Sequence, residues 1–266
     1  MRINFKSLRL RIFVAIFIFI SLVNFSLSLA EEVFNPQAFI GVWEGTRMRR
    51  SMEVGGLTSK GIEITIFPNL WILIDYSVNE YGVFIGKIKD ADLFGSTKLD
   101  KPGDQFNKFR INNGLLYGIY RSRNTEGTFN ELKKISNFPQ PLTLSSKELN
   151  TFKLSDYKIL PAEGEFSSLS GVWVGKFLPG PLHKLVVEKI ESDTAQCIYV
   201  TVNGEWKHKV KIKKEGNMIC LSLKYQQERK DVEVNYWYTG DTPDRLYAAW
   251  ERSDGLLSVA VLQKTK

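Results

Sequence analysis

Trp206-Lys207-His208-Lys209-Val210-Lys211-Ile212-Lys213 alternates lysine with other residues. In an extended strand that period places Lys207, Lys209, Lys211 and Lys213 on one face, about 7 Å apart. Such a stripe suits phosphate-bearing lipid headgroups or another anionic polymer. A solvated outer face whose lysines block edge pairing shows the same pattern. A second candidate is Trp237, within Val232-Glu233-Val234-Asn235-Tyr236-Trp237-Tyr238. With the valines and tyrosines facing a core, Trp237 is exposed beside Asn235 as a stacking platform for a sugar ring. Burial in an interface with the linker is the alternative reading.

Reactive constellations are absent from the sequence. It holds no Gly-x-Ser-x-Gly nucleophile elbow, and Gly55-Gly56 lacks the lysine and the strand-to-helix setting of a phosphate loop. The only two histidines, His183 and His208, have no second histidine or cysteine at metal-ligand spacing. His183 follows Pro179-Gly180-Pro181 and is expected in a surface loop. Glu63, Asp75, Glu188 and Glu191 are scattered over strands, where carboxylates usually serve solubility. Glu188, read as pointing inward beside Val186 and Ile190, is expected to be a paired structural group. No catalytic residue, cofactor site or metal site is assigned.

The first 30 residues read as a signal peptide. Arg2, Lys6, Arg9 and Arg11 precede an uncharged apolar run, Ile12 to Val23, and Ser28-Leu29-Ala30 offers small residues for cleavage before Glu31. The run is short for a membrane span, which needs about 20 residues; an uncleaved anchor is the minor alternative. The chain carries 36 Lys+Arg against 29 Asp+Glu, and removing the segment takes four basic and no acidic residues, leaving 32 against 29. A formal +3 makes no case for nucleic acid.

The elements that would position any site are read from a repeat. Gly41-Val42-Trp43-Glu44-Gly45 returns as Gly171-Val172-Trp173-Val174-Gly175, and Leu116-Tyr117-Gly118-Ile119-Tyr120 as Leu246-Tyr247-Ala248-Ala249-Trp250, both 130 residues on. Leu132 and Lys134 return as Leu262 and Lys264. A period this long implies two copies of one folded unit. The second copy divides into eight strands: Gly171 to Leu178, Leu182 to Glu191, Thr194 to Val202, Glu205 to Lys214, Met218 to Lys224, Asp231 to Thr239, Arg245 to Glu251 and Leu256 to Gln263. Asn203-Gly204 marks a hairpin. Eight short strands in under 100 residues fit a closed up-and-down barrel, since closure removes exposed edges.

In the first copy Ile62, Ile64 and Ile66 alternate with polar residues, and Trp71 to Val78 and Tyr81 to Ile88 read as strands. Asp90 to Asn113 reads as an extended loop with one weak strand. The expected fold is all-β: two tandem antiparallel up-and-down barrels over 31–136 and 165–266, joined by a proline-bearing linker over 137–164. Ser145 and Glu148 have capping-box spacing, predicting a short helix near Ser146 to Lys153. Asn35-Pro36 and Ser167-Ser168 predict a short turn before each barrel. Cys197 and Cys220 flank the strand Glu205 to Lys214. In a meander they stand two strands apart, roughly 9.6 Å, so two free thiols are expected.

Gly-x-Trp opening a first strand, preceded by a short turn and followed by a compact meander, resembles the lipocalin and wider calycin superfamily. Leu169 to Gly175, Leu185-Val186-Val187-Glu188 and Tyr247 to Arg252 also look like small exported bacterial domains of this barrel type, for which no single activity follows. The resemblance implies that Trp43 and Trp173 plug the barrel bases, with Lys134 and Lys264 from the last strands lying over the indoles. The Thr-Asp-Tyr signature of lipocalins occurs in neither copy, and Ser155-Asp156-Tyr157 lies in the linker. Short strands imply interiors filled by side chains, with little room for a ligand. The reading is a secreted or periplasmic, non-enzymatic binding or envelope-interaction protein. Its candidate partners are an anionic envelope surface, a glycan or a small apolar ligand, and it needs no cofactor. A carrier of a small hydrophobic ligand is the alternative, and a hydrolase comes third.

Overall fold

The computed structural model describes residues 35–51, 57–75, 83–89, 92–96, 105–122, 125–145, 148 and 157–265. The segment read as a signal peptide and most of the helix expected near Ser146 to Lys153 lie outside the described residues. The chain is all-β, with two closed antiparallel up-and-down barrels. The first comprises β1 (Gly41–Ser51), β2 (Leu57–Ile66), β3 (Trp71–Asp75), β4 (Val83–Lys89), β5 (Asp92–Ser96), β6 (Gln105–Asn112), β7 (Leu115–Ser122) and β8 (Thr125–Ser136). The second comprises β9 (Gly171–Lys176), β10 (Leu182–Glu191), β11 (Thr194–Thr201), β12 (Gly204–Glu215), β13 (Met218–Gln227), β14 (Lys230–Thr239), β15 (Arg245–Arg252) and β16 (Leu257–Lys264). The expected loop over Asp90 to Asn113 is corrected: it carries two strands, β5 and β6, whose short pairing (Leu93 with Phe106, Phe94 with Gln105) leaves little alternation to read.

Each barrel closes the same way. A short turn, α1 (Pro36–Phe39) or a 3-10 turn (Ser167–Leu169), precedes the first strand. The Trp43 indole N–H donates to Phe39 O at 2.8 Å, and that of Trp173 to Leu169 O at 2.8 Å. Lys134 Nζ lies 4.7 Å from the Trp43 ring and donates to Ala38 O (3.0 Å) and Ile40 O (2.7 Å). Lys264 Nζ lies 5.0 Å from the Trp173 ring and donates to Ser168 O at 2.8 Å. Each ammonium thus answers turn carbonyls left without partners, and burial pulls both lysines below their usual pKa. Gly175 permits the closure, since a Cβ there would stand 2.7 Å from Val261 O and 3.0 Å from Leu262 Cα.

The second barrel is jacketed on two sides. Its inward residues, including Trp173, Leu185, Leu221, Val234, Tyr236, Leu246 and Leu262, form one core. Outward residues Cys220, Trp237, Tyr247, Ala249, Val259 and Val261 pack against Phe67, Trp71, Leu73 and Ile85 of the first barrel. On another side Val172, Val174, Val186 and Ile198 are covered by Leu144, Tyr157 and Ile159 of the linker. Double-sided burial is why β15 and β16 read as near-continuous apolar runs. In β12, by contrast, Val210 and Ile212 are buried between exposed lysines.

Trp173→Ala should lower the unfolding free energy by about 3 to 5 kcal/mol in urea melts, the usual cost of truncating a buried tryptophan. A change under about 1 kcal/mol would remove the indole from the closure.

Candidate functional site

The lysine stripe is where alternation puts it: Lys207, Lys209, Lys211 and Lys213 are all exposed on one face of β12. Two of its charges are answered, Lys209 by Glu191 at 3.5 Å and Lys211 by Asp193 at 3.7 Å. Trp237 is corrected. It does point away from its own core, but the first barrel covers it and it is only 7% exposed. A buried indole offers no platform for a sugar.

His183 is also corrected, from surface loop to barrel interior. It lies on β10 with no exposed surface, stacked on Phe177 at 4.2 Å and 15°, with Tyr199 at 5.7 Å and Tyr236 at 6.0 Å. Burial alone pulls its pKa down to about 3, so the ring is neutral at physiological pH. Glu188 does not share a face with both Val186 and Ile190. Val186 packs outward under the linker and Ile190 inward, because a bulge between Val187 and Lys189 breaks the alternation. Cys197 and Cys220 are free and buried, one in the core and the other against the first barrel, and burial pushes both thiols up to about 12. They are inert as nucleophiles at neutral pH. Among the described residues no three His, Cys, Asp or Glu side chains converge as a metal site.

The sequence reading missed the open end of the second barrel. Strand β12 pairs with β13 only from Ile212 to Glu215, although it pairs with β11 from Gly204 to Lys211. The β12–β13 ladder ends at the Ile212–Leu221 pair. The strands part there, and a cavity of about 420 Å³ occupies this end of the barrel, contrary to the expectation of a filled interior. Tyr199, Trp206, Tyr225 and Trp250 line it, with Phe177 on the β9–β10 side. The rings form a connected wall: Tyr199 stands 6.1 Å from Trp206 and 5.7 Å from Tyr225, and the Trp250 indole donates to Tyr225 Oη at 3.0 Å. Trp206 is 44% exposed.

Polar groups at the rim are Thr201, Asn203, Gln226, Gln227 and Arg252. The guanidinium is already matched: Arg252 binds Asp254 through Nε (2.8 Å) and Nη2 (3.0 Å), and Glu228 lies 3.6 Å away. Those hydrogen bonds, with one from Lys230, hold the Asp254 carboxyl well below the usual range. The rim therefore presents a neutralised cation. The sequence did carry one signal for this wall, aromatic residues at the same ends of neighbouring strands, but their convergence depends on register.

No protein-family model and no curated protein matches the sequence. Solved structures similar to it include a protein of unknown function from the DUF3598 family of Nostoc punctiforme (12% identity, 86% of this chain and 97% of that chain, TM-score 0.25). Transferrin binding protein B from Haemophilus parasuis (12%, 85% and 76%, TM-score 0.27) and from serogroup B Neisseria meningitidis (8%, 85% and 76%, TM-score 0.25) are also similar. At these TM-scores the likenesses carry no argument about activity.

The buried histidine predicts a pH dependence. Unfolded His183 takes a proton near 6.5, whereas the folded ring stays neutral down to about 3. The unfolded state therefore binds more protons between these values, so stability is full above pH 6.5 and falls on acidification. His208, lowered in the same direction by burial, adds to it. The carboxylates with lowered pKa (Glu148, Glu191, Glu233 and Asp254) act mainly near and below their ordinary values of 4.5 or 3.8, so they add to the loss only toward the acid end of this range. Urea melts from pH 6.5 to 5 should lose roughly 1 kcal/mol per unit through His183, and His183→Phe should remove that share. Identical slopes in both proteins would contradict a buried neutral ring.

Proposed function

We propose that this chain is an exported, non-enzymatic binding protein built from two calycin-type barrels, and that the open end of the second holds a small ligand with an apolar body. The observation that carries the reading is the aromatic cavity of about 420 Å³ in an otherwise packed barrel. Its volume and its ring-lined wall with a few polar rim groups suit a small molecule. The Trp43–Lys134 and Trp173–Lys264 pairs, 130 residues apart and alike in geometry, support descent of both barrels from one unit. Non-enzymatic action is supported by the state of the nearby groups. A histidine held neutral to about pH 3 is a poor general base at neutral pH, and Arg252 is committed to its carboxylates.

Naphthalene, a neutral two-ring probe, should bind the whole protein in calorimetric titration. Trp206→Ala and Trp250→Ala should each weaken binding roughly three- to tenfold, the range expected for losing one aromatic contact. Lack of naphthalene binding, or binding that neither substitution changes, would overturn the assignment of this end as the ligand site.

Export is proposed from the basic and apolar N-terminal segment. Material recovered outside the cytoplasm should begin at Glu31 on N-terminal sequencing; a chain retained whole in the membrane fraction would replace cleavage by anchoring.

A further inference from the structure

Buried polar atoms without a hydrogen-bond partner among the described residues are concentrated behind this cavity. They are both ring nitrogens of His183, Nε2 of His208 and Oη of Tyr236, with Arg245 Nε the exception. His183 lies 5.7 Å from Tyr199 and 6.0 Å from Tyr236, and His208 lies 6.3 Å from Tyr225. Tyr199 and Tyr225 line the cavity, so His183 and His208 sit one ring behind its wall and Tyr236 sits beside His183. Phe177 covers a face of the His183 imidazole and leaves its in-plane nitrogens to be answered from elsewhere.

The chemistry of these atoms restricts what can answer them. A neutral imidazole offers one donor and one acceptor, and a phenol offers both. A carboxylate only accepts and an ammonium only donates, and either would bring an uncompensated charge into the barrel. A hydroxyl donates, accepts and stays neutral. Arg252 adds no free positive charge at the rim, because Asp254 and Glu228 answer it.

We infer that the second barrel takes a neutral ring compound with a hydroxyl directed inward, past Tyr199 and Tyr225 toward His183 and Tyr236, and its ring among Trp206 and Trp250. The inference rests on the open end being the ligand site and adds which ligands it selects. Phenols and sugars share the required chemistry, and the probes below separate them.

The test compares 2-naphthol, naphthalene, 2-naphthoate and methyl β-glucoside by calorimetry at pH 7 on the whole protein. Expected is 2-naphthol or the glucoside binding about tenfold or more tighter than both naphthalene and 2-naphthoate, the scale of one well-placed buried hydrogen bond. The hydroxyl compound that binds identifies the source as a phenol or a sugar. Tyr236→Phe, which removes one oxygen and keeps the ring, and His183→Phe should each reduce that preference to about threefold or less. Naphthalene binding as tightly as both 2-naphthol and the glucoside in the unaltered protein would overturn the inward hydroxyl while upholding the open end as the site. A preference that survives Tyr236→Phe and His183→Phe would overturn it as well, assigning the hydroxyl to the rim or to buried water. Failure of every probe to bind would overturn the ligand site itself.

Discussion

Everything in the second barrel depends on how closely its first and last strands approach. Gly175 lies against Leu262 with no room for a side chain, and that approach brings Lys264 over the Trp173 indole. The indole in turn is tied to the turn that precedes its own strand. One cluster thereby fixes the closing register, the entry angle of the chain and the sealing of that end. A cation over an indole contributes about 0.5 to 2 kcal/mol, modest beside the area the tryptophan buries. Its larger consequence is positional: with one end sealed and the register set, irregularity is pushed to the other end.

That irregularity has a particular place. The outer faces of β13 to β16 are held by the first barrel, and those of β9 to β11 by the linker. Lys184 shows how tight the linker cover is, with 1% exposure and its Nζ 4.7 Å from the Tyr157 ring. Strand β12 keeps a solvated outer face. It is also the strand that separates from its neighbour beyond Ile212 and Leu221. Lys207, Lys209 and Lys211 of the stripe lie along the stretch of β12 that does not pair with β13, and its charges are partly matched by Glu191 and Asp193.

How much of this could be read from residues follows from what each residue's environment depends on. Strands of the second barrel were legible because turn residues and period-2 runs are local, and the observed bounds differ from the expected ones by at most a few residues. The Ser145–Glu148 capping pair was legible for the same reason, with Ser145 N donating to Glu148 Oε2 at 2.9 Å and Glu148 N to Ser145 Oγ at 3.2 Å. Trp237 was misread because its outward direction is local but its cover comes from Phe67 and Trp71, more than a hundred residues away. His183 was misread because the preceding proline-glycine turn suggests a surface position, although the strand Leu182–Glu191 that carries it was legible and faces it inward. Glu188 fell at a bulge, and the cavity depends on strand separation, neither of which alternation encodes.

The interior polarity beneath the cavity is the feature that packing does not explain. A barrel optimised for stability would fill the places of His183, His208 and Tyr236 with apolar rings, since a buried unpartnered polar group costs about 1 to 3 kcal/mol. Three residues, four unpartnered atoms and one adjoining cavity are coupled by position, because the tyrosines that wall the cavity are the same ones that separate it from those atoms. Destabilising groups gathered at one place in an otherwise apolar core mark the part of a fold shaped by something other than folding. In this barrel that place is its open end, held firm by closure at the other, which is the arrangement that the proposed small neutral ligand requires.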